Sequence, residues 1–272
     1  MEHDDGLLLG KHTPVVEVYS PELLYPIPRS IARDNLGIDE PLPFYGVDLW
    51  HAYELSWLDA SGKPVARVGR FTVPATTPNI VESKSFKLYL NSLNSTRYSG
   101  EIEAKACIER DISAAAGGPV SLELFTANES SLAGQVLEGL EIDNCAVSLS
   151  EVEPSADMLV VNSNTIREEK LYSHLLRSLC PVTGQPDWAT LWLHYCGPAI
   201  DHSSLLAYII SYRQHQEYHE QCVERMFRDI SHRCSPQFLH IQAFYTRRGG
   251  LDINPFRSTD PEAGPQPRLN RQ

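Results

Sequence analysis

The chain has 272 residues, of which 42% are hydrophobic, and a formal net charge of −12 at pH 7. This length suits one large domain or two of ordinary size, each with an apolar core. The negative charge argues against the basic face that nucleic-acid binding requires, although a few local cations could still hold a small anion. We therefore expect no direct nucleic-acid partner.

The sequence lacks the features of secretion and of membrane insertion. Its first residues, Met1–Asp5, are acidic where a signal peptide is basic, and the leucines at 7–9 are too few for an apolar signal region. No apolar run approaches the length of a membrane span. The six cysteines form no close pair and indicate reduced thiols: Cys107, Cys145, Cys180, Cys196, Cys222 and Cys234. We expect a soluble cytoplasmic protein that has no membrane partner.

The first half predicts a hairpin followed by two helices. Residues 1–45 are rich in proline and charge, and we expect them to wrap a surface rather than form a core. Two strand-like stretches, 50–58 and 65–73, flank the turn residues 59–64. The spacing of apolar residues then predicts one helix over 81–93, on Phe86, Leu90 and Leu93, a second over 102–114, and a strand over 120–125.

The second half begins after a linker-like stretch at 150–157. We expect a short strand around Met158–Val161. A capping-box pattern at Thr165–Glu168 then predicts a helix that ends at Leu179, because leucines recur on one side of it: Leu171, Leu175, Leu176 and Leu179. A strand over Trp188–Tyr195 follows the next turn.

The C-terminal part carries the strongest helical pattern, over residues 203–231. Strands over 237–246 and 251–257 follow, and the tail from Ser258 is expected to be loose. Each half thus contains strands, helices and more strands. The sequence predicts an α+β protein of two tandem units, 1–150 and 151–272, each an antiparallel sheet with helices on one face.

The stretch Cys180–Asp187 combines a thiol and a carboxylate on a segment that cannot be helical. Pro181, Gly184 and Pro186 keep this segment turning. A cysteine held on a loop beside an acid suits a nucleophile with a nearby proton donor. The alternative is that both residues are structural parts of a turn.

Three further residues, His215, His219 and Cys222, would share one face of the predicted long helix. Together with Cys180 they make a zinc site conceivable, but no close cysteine pair or HExxH motif accompanies them, and packed core histidines are the alternative. At a helix edge that borders a pocket, His219 could point inward while Glu220 reaches a ligand. The alternative there is a core histidine beside a solvated glutamate.

Four cations, Lys84, Lys87, Arg247 and Arg248, lie at a helix start and beside a Gly-Gly turn. Such cations, with free backbone N–H groups, could hold a phosphate, although scattered surface charge is the ordinary alternative. No GxGxxG or GxxxxGK[ST] motif occurs, so any dinucleotide would bind without a Rossmann or P-loop cradle.

Taken together, four stretches resemble the NADPH-dependent 7-cyano-7-deazaguanine reductases, the nitrile reductases of queuosine biosynthesis: Glu82–Lys87, Cys180–Asp187, Tyr212–Cys222 and Arg247–Gly250. The chain length and motif spacing resemble the long subfamily. This resemblance implies two tandem tunnelling-fold (T-fold) modules, a homodimer and no metal. It implies reduction of the nitrile of 7-cyano-7-deazaguanine to a primary amine, with NADPH as the hydride donor.

The resemblance also implies residue roles. Cys180 would form a covalent thioimide with the nitrile, and Asp187 would donate the proton. The substrate contacts would be Val81, Glu82, Ser83, His219 and Glu220, and the NADPH contacts would be Ser83, Lys84, Arg248 and Gly249. These roles are physically consistent, because thiolate addition turns a poor hydride acceptor into a reducible C=N group, and because a glutamate carboxylate can accept two adjacent N–H groups of a guanine analogue.

Three other functions remain open at this point. A thiol hydrolase or transferase would use Cys180 with His219 and would not oxidise NADPH. A zinc-dependent pterin or purine cyclohydrolase on the same fold would contain metal. A non-catalytic purine-binding T-fold protein would bind its ligand unchanged after replacement of Cys180.

Overall fold

The structure is a computed structural model and describes residues 18–148 and 153–272. The α-helices in this part of the chain are α1 (Arg29–Leu36), α2 (Ser83–Ser92), α3 (Glu101–Ala116), α4 (His202–Ser211) and α5 (His219–Cys234). The strands are β1 (Pro26–Pro28), β2 (Tyr45–Leu58), β3 (Pro64–Pro74), β4 (Asn79–Val81), β5 (Ser121–Phe125), β6 (Leu140–Glu141), β7 (Val161–Leu179), β8 (Pro186–Ile200), β9 (Phe238–Tyr245) and β10 (Leu251–Ser258). Among the helices described, none is both long and apolar enough to span a bilayer.

The chain folds into two compact units, and each unit draws on separate stretches of sequence. Among the described residues, the first comprises 18–31, 48–132 and 247–253, and the second comprises 32–47, 133–148, 153–246 and 254–272. The predicted boundary at residue 150 falls at 149–152, outside the described residues, so the division into 1–150 and 151–272 stays a prediction.

In the first unit, strand order runs β5-β3-β2, and β5 pairs with β3 in antiparallel register. The turn between β2 and β3 forms because the Asp59 carboxylate accepts hydrogen bonds from the backbone N–H groups of Ser61 and Lys63, at 2.9 and 3.0 Å. The predicted hairpin is confirmed, as are helices α2 and α3. Both helices bury their apolar sides in one core that includes Trp50, Trp57, Phe71, Phe86, Tyr89, Leu90, Leu93, Ile108 and Ile112.

In the second unit, strand order runs β10-β9-β8-β7-β6. The pairs β10/β9, β9/β8 and β8/β7 are antiparallel, and only the short β6 pairs in parallel, with β7. Helix α5 packs against β8 and β9, and α4 packs against β7. The predicted strands at 188–195, 237–246 and 251–257 are confirmed.

The predicted helix that ends at Leu179 is wrong, because residues 161–179 form strand β7. A register shift lies between Ser173 and Leu176 in the pairing of β7 with β8. The extra residue changes which positions face inward, so Leu171 and Leu176 are both buried although five residues separate them. The helix-like spacing of Leu171, Leu175 and Leu179 is therefore misleading, because Leu175 is exposed on this strand.

The predicted single helix over 203–231 is also wrong. Helix α4 ends at Ser211, a short 3-10 turn covers Tyr212–Gln214, and α5 begins at His219. The intervening residues 215–217 hydrogen-bond to Leu179 in β7 instead of continuing the helix. Because a tertiary contact makes this break, no glycine or proline marks it in the sequence, and local patterns could not predict it.

Three predictions about peripheral segments need correction. The strand expected around Met158–Val161 begins only at Val161, because Ala156–Met158 forms a 3-10 turn. Of residues 1–45, the first 17 lie outside the described part, and among the others Leu36, Ile38 and Phe44 are buried in a core. The tail beyond Ser258 is not loose, because the Gln272 side chain accepts a hydrogen bond from the Leu269 N–H at 2.8 Å and both residues are buried.

Candidate active site

Cys180 lies at the tight end of the β7–β8 hairpin. Its backbone N–H donates to the Gln185 carbonyl, and its own carbonyl accepts from the Gly184 N–H, both at 2.9 Å. Gly184 has φ +65°, a conformation that glycine adopts without steric cost. The loop therefore closes directly behind the cysteine and leaves its side chain only 6% exposed.

Asp187 lies on the same face of this hairpin as Cys180. It pairs with Ser178 across the two strands, and Cys180 is two residues beyond Ser178. Side chains two residues apart on an extended chain point to one face, and diagonal neighbours of this kind are about 7 Å apart. Both residues are buried, and their assignment as nucleophile and proton donor stays a prediction.

His219 completes this group from the first residue of α5. Its Nε2 lies 3.3 Å from Asp187 Oδ2. Its ring stacks on Tyr245 at the end of β9, with a centroid distance of 3.6 Å and an angle of 7° between the planes. Its Nδ1 is buried and has no hydrogen-bond partner among the described residues, which leaves this nitrogen for a ligand.

The sequence between α4 and α5 brings His219 to the cysteine loop. The Leu179 N–H donates to the His215 carbonyl at 2.8 Å, and the Leu179 carbonyl accepts from the Glu217 N–H at 3.2 Å. Glu217 is itself fixed by Arg225, at 2.6 Å, and by His215, at 3.0 Å. Because the segment that precedes α5 is bound to the residue that precedes Cys180, the first turn of α5 starts beside the loop.

Glu220 is the second residue of α5 and is only 3% exposed. A carboxylate in the first turn of a helix is favoured by the exposed backbone N–H groups and by the positive end of the helix dipole. A buried carboxylate at this position is a ready acceptor for N–H donors. Sequence analysis placed Glu220 in the middle of a long helix, and the structure places it at a helix start.

Cys222 and Tyr245 are two buried residues of the second unit that stay protonated and uncharged. Burial raises the pKa of the Cys222 thiol well above its ordinary value, and the nearby charge of Glu217 adds to the shift. Burial also raises the pKa of Tyr245. Cys222 therefore stays a thiol and is not the activated nucleophile of this unit.

The helical face proposed for zinc does not exist as predicted. His215 precedes α5 and contacts the carboxylates of Glu153 and Glu217, at 3.2 and 3.0 Å, whereas His219 contacts Asp187. Within residues 18–148 and 153–272, no group of three or more His, Cys, Asp and Glu side chains is arranged to hold a metal ion.

In the first unit, Glu82 is the N-cap of α2. Its two carboxylate oxygens accept from the backbone N–H groups of Lys84 and Ser85, at 2.8 and 2.7 Å. The residue is 1% exposed, and burial raises its pKa although both hydrogen bonds oppose that shift. Val81, the last residue of β4, belongs to the apolar core.

The Arg248–Gly249 turn lies against α2. The Arg248 N–H donates to the Leu251 carbonyl at 2.8 Å, and Gly249 has φ +59°. A Cβ at Gly249 would lie 3.0 Å from Cδ of Lys87, which is one helical turn beyond Ser83 and Lys84. A cavity of about 90 Å³ adjoins this turn and is lined by Ala52, Glu54, Lys87, Leu90, Asn91, Asn94, Gly249, Gly250 and Leu251.

These residues fit a phosphate-bearing cofactor through charge rather than through free helix N–H groups. Arg248 is exposed and Lys84 is half-buried, so both cations can reach a ligand. The N–H groups of Lys84 and Ser85 already bind Glu82, which corrects the expectation that they are free. A glycine at 249 lets a ligand approach the backbone closely.

Two family models match the chain. Residues 15–124 match the model described as "Nitrile reductase, 7-cyano-7-deazaguanine-reductase N-term", and residues 186–263 match the model described as "QueF-like protein". The first match contains Val81–Lys84, and the second contains Asp187, His219, Glu220, Arg248 and Gly249. Cys180 lies just before the second match.

Curated relatives agree with these matches. A protein of Dechloromonas aromatica (strain RCB) is 52% identical over 259 residues, which are 94% of this chain and 92% of the relative. Proteins of Stenotrophomonas maltophilia are also 52% identical, over 92% of both chains for strain R551-3 and over 94% of both for strain K279a. All three are named NADPH-dependent 7-cyano-7-deazaguanine reductase.

The fold is α+β, with two tandem T-fold modules, as predicted. In the second unit, the Asp187–His219 contact lies at the β7–β8 hairpin whose loop begins at Cys180. The chain belongs to the family of NADPH-dependent 7-cyano-7-deazaguanine reductases. The roles of individual residues remain predictions, and sequence analysis gave no role to Tyr245.

Proposed function

We propose that the protein reduces the nitrile of 7-cyano-7-deazaguanine to the primary amine of 7-aminomethyl-7-deazaguanine, in tRNA queuosine biosynthesis. The observation that carries this proposal is the placement of Cys180 and Asp187 on one hairpin face with His219 Nε2 at 3.3 Å from the carboxylate. The names of the three relatives support the same reaction and the same cofactor, NADPH.

The first step joins Cys180 to the substrate. The Cys180 sulfur attacks the nitrile carbon, so that one C–S bond forms and one C–N π bond breaks. Asp187 donates a proton to the nitrogen and takes up the proton that the thiol loses, which gives a thioimide without net change in charge. Addition of a thiol to a nitrile divides one difficult reduction into easier steps.

NADPH supplies, when bound, two hydrides from two molecules. After the first reduction, the nitrogen lone pair re-forms a C=N bond to the carbon. The carbon–sulfur bond breaks in the same step, and Cys180 leaves as a thiolate. Asp187 moves protons at that nitrogen, and its contact with His219 fixes the direction in which the carboxyl group points. The second reduction completes the amine, and the Cys180 thiolate takes up a proton from solvent, which returns the protein to its starting form.

For recognition, we propose that Glu220 accepts two N–H groups of the deazaguanine and that His219 contacts the same ligand. Glu220 is buried, so water cannot replace a hydrogen bond that its carboxylate fails to make. Each hydrogen bond to the ligand there therefore contributes strongly to binding. In the first unit, we propose that Val81, Glu82 and Ser83 contact the substrate and that Ser83, Lys84, Arg248 and Gly249 contact NADPH. Lys84 and Arg248 would provide charge for the phosphate groups.

We further propose a homodimer in the cytoplasm. The resemblance of the motif spacing to the long subfamily supports the dimer. A cysteine that must act as a thiol requires a reducing compartment, and all six cysteines are free.

The decisive test is the intact mass of the purified protein after addition of 7-cyano-7-deazaguanine without NADPH. The expected result is one adduct with the mass of the nitrile, which is absent from Cys180→Ala. A binding protein would give no adduct, and a thiol hydrolase would give no NADPH oxidation when NADPH is then added. Either result with folded, reduced protein would overturn the proposal.

A further inference from the structure

We propose that Tyr245 is a positioning residue: its ring holds the His219 imidazole in the plane that brings Nε2 to Asp187. Tyr245 would touch neither the nitrile nor the cofactor. The inference rests on the proposed function, because it assigns a task to a residue behind the proposed active site.

The geometry of the contact is that of a support. The two rings are nearly parallel, at 7°, and their centroids are 3.6 Å apart, so the face of the tyrosine covers the face of the imidazole. Two flat rings in such contact cannot tilt independently. The stack therefore restricts the rotation of the His219 side chain.

Few other contacts restrain this imidazole. Its Nδ1 has no hydrogen-bond partner among the described residues, and its Nε2 reaches Asp187 at 3.3 Å, which is long for a strong hydrogen bond. Histidines in catalytic sites are commonly oriented by a hydrogen bond to the second ring nitrogen. In this chain the aromatic stack takes the place of that hydrogen bond.

Tyr245 itself is firmly held. It is completely buried, and its backbone N–H donates to the Asn254 side chain at 3.2 Å. Its hydroxyl is buried without a hydrogen-bond partner among the described residues, and burial raises its pKa, so that it stays a neutral phenol. The ring is thus a fixed, uncharged surface.

The support and Asp187 belong to one rigid framework. Tyr245 pairs with Ala189 in the β8/β9 ladder, and Ala189 is two residues beyond Asp187 on the same strand. The next residue, Thr246, donates its N–H to the Trp188 carbonyl at 2.9 Å. The β8 strand that carries the carboxylate therefore also fixes the ring that supports its histidine partner.

The test compares Tyr245→Leu, which removes the flat ring, with Tyr245→Phe, which keeps it. For Tyr245→Leu we expect kcat/KM for the nitrile to fall by about 3- to 10-fold, the factor that an aromatic pair is worth. Tyr245→Phe keeps the ring, so its kcat/KM should stay close to that of the unaltered protein. Phe244→Leu is the matched control. It truncates the neighbouring buried aromatic residue of β9, which packs with Trp192 and Leu269 instead.

A double-mutant cycle separates positioning from general destabilisation. If Tyr245 acts through His219, then Tyr245→Leu should cause no further loss of thioimide formation rate in a His219→Ala background. Phe244→Leu should have the same small effect in either background. Full additivity of Tyr245→Leu and His219→Ala, or a loss in Tyr245→Phe as large as in Tyr245→Leu, would overturn the inference.

A measurement on the free protein keeps the inference testable if the proposed reaction is absent. Failure of the proposed function would appear as inactivity of the unaltered protein. With histidines labelled by ¹³C, the His219 ring signal should show an upfield ring-current shift that persists in Tyr245→Phe and disappears in Tyr245→Leu. An unchanged His219 signal in Tyr245→Leu would refute the support role, whatever the enzyme activity.

Discussion

Leu179 and Gln216 form a parallel bridge that ties the last residue of β7 to the segment before α5. The hydrogen bonds on either side of Gln216, from Leu179 to His215 and from Glu217 to Leu179, make the two segments one structural unit. Since Cys180 follows Leu179 and His219 follows this segment closely, the bridge sets the relation between the proposed nucleophile and the proposed substrate-binding pair.

The ionic contacts of this segment predict a pH dependence of stability. Burial lowers the pKa of His215, but Glu217, helped by Glu153, outweighs burial and raises it above the ordinary value of 6.5. The folded state therefore binds the proton more tightly than the unfolded state. The stabilisation is fully present below pH 6.5 and is lost as the pH rises through the folded pKa.

We therefore expect the free energy of unfolding to fall, as the pH rises above 6.5, more steeply in the unaltered protein than in His215→Gln. Urea unfolding at a series of pH values measures both profiles. Parallel profiles for the two proteins would show that the His215–Glu217 contact contributes no pH-dependent stability.

Replacement of the nucleophile should abolish the reaction without loss of the fold. Cys180→Ala removes one buried sulfur from a loop whose shape depends on backbone hydrogen bonds. We expect no thioimide adduct by intact mass and no nitrile-dependent NADPH oxidation. Circular dichroism is the control for folding, and retained turnover would contradict the role of Cys180.

Asp187→Asn should separate binding from proton transfer. The amide keeps the size of the side chain but cannot act as the acid, so we expect turnover to fall by about 100-fold or more. The dissociation constant of the nitrile, measured by calorimetry, should change little. Normal NADPH oxidation by this variant would exclude Asp187 as the proton donor.

Glu220→Gln should weaken substrate binding. The amide replaces one acceptor oxygen of Glu220 with an NH₂ donor. In the complex this donor would face an N–H group of the ligand, and two buried donors without an acceptor cost about 1–3 kcal/mol. That corresponds to about 5- to 150-fold in the dissociation constant. Glu123→Gln, at an exposed salt bridge with Arg70, is the matched control. Equal affinities for Glu220→Gln and the unaltered protein would remove Glu220 from the ligand site.

The strongest stability effect is expected at Glu224. Its carboxylate pairs with Arg33 at 2.7 Å and with Arg257 at 2.8 Å, and all three side chains are buried. Glu224→Gln removes the negative charge that these two buried cations contact, which should cost about 3–5 kcal/mol in the free energy of unfolding. Glu123→Gln should cost less than about 1 kcal/mol. Chemical unfolding measures both, and equal costs would contradict the assigned role of burial.

Local signals in the sequence were sufficient for the hairpin at Asp59, for α2 and α3, and for the turn that carries Cys180. They failed where a distant contact decides the structure. The bulge after Ser173 puts Leu171 and Leu176 on the buried side of a strand and leaves Leu175 exposed, so the four-residue spacing of Leu171 and Leu175 did not mark a helix face. The helix break before His219 depends on Leu179, about 40 positions earlier, and the stack on Tyr245 leaves no local signal in either segment.

The cap of α2 has a consequence for ligand entropy. Both oxygens of Glu82 are already bound to backbone N–H groups, so the torsions of this long side chain are fixed before any ligand arrives. Ordering a free glutamate would cost up to about 2 kcal/mol. A ligand that binds the remaining lone pairs of Glu82 meets an acceptor whose side chain is already ordered. The side-chain entropy of Glu82 is lost when the protein folds and is not lost again on binding.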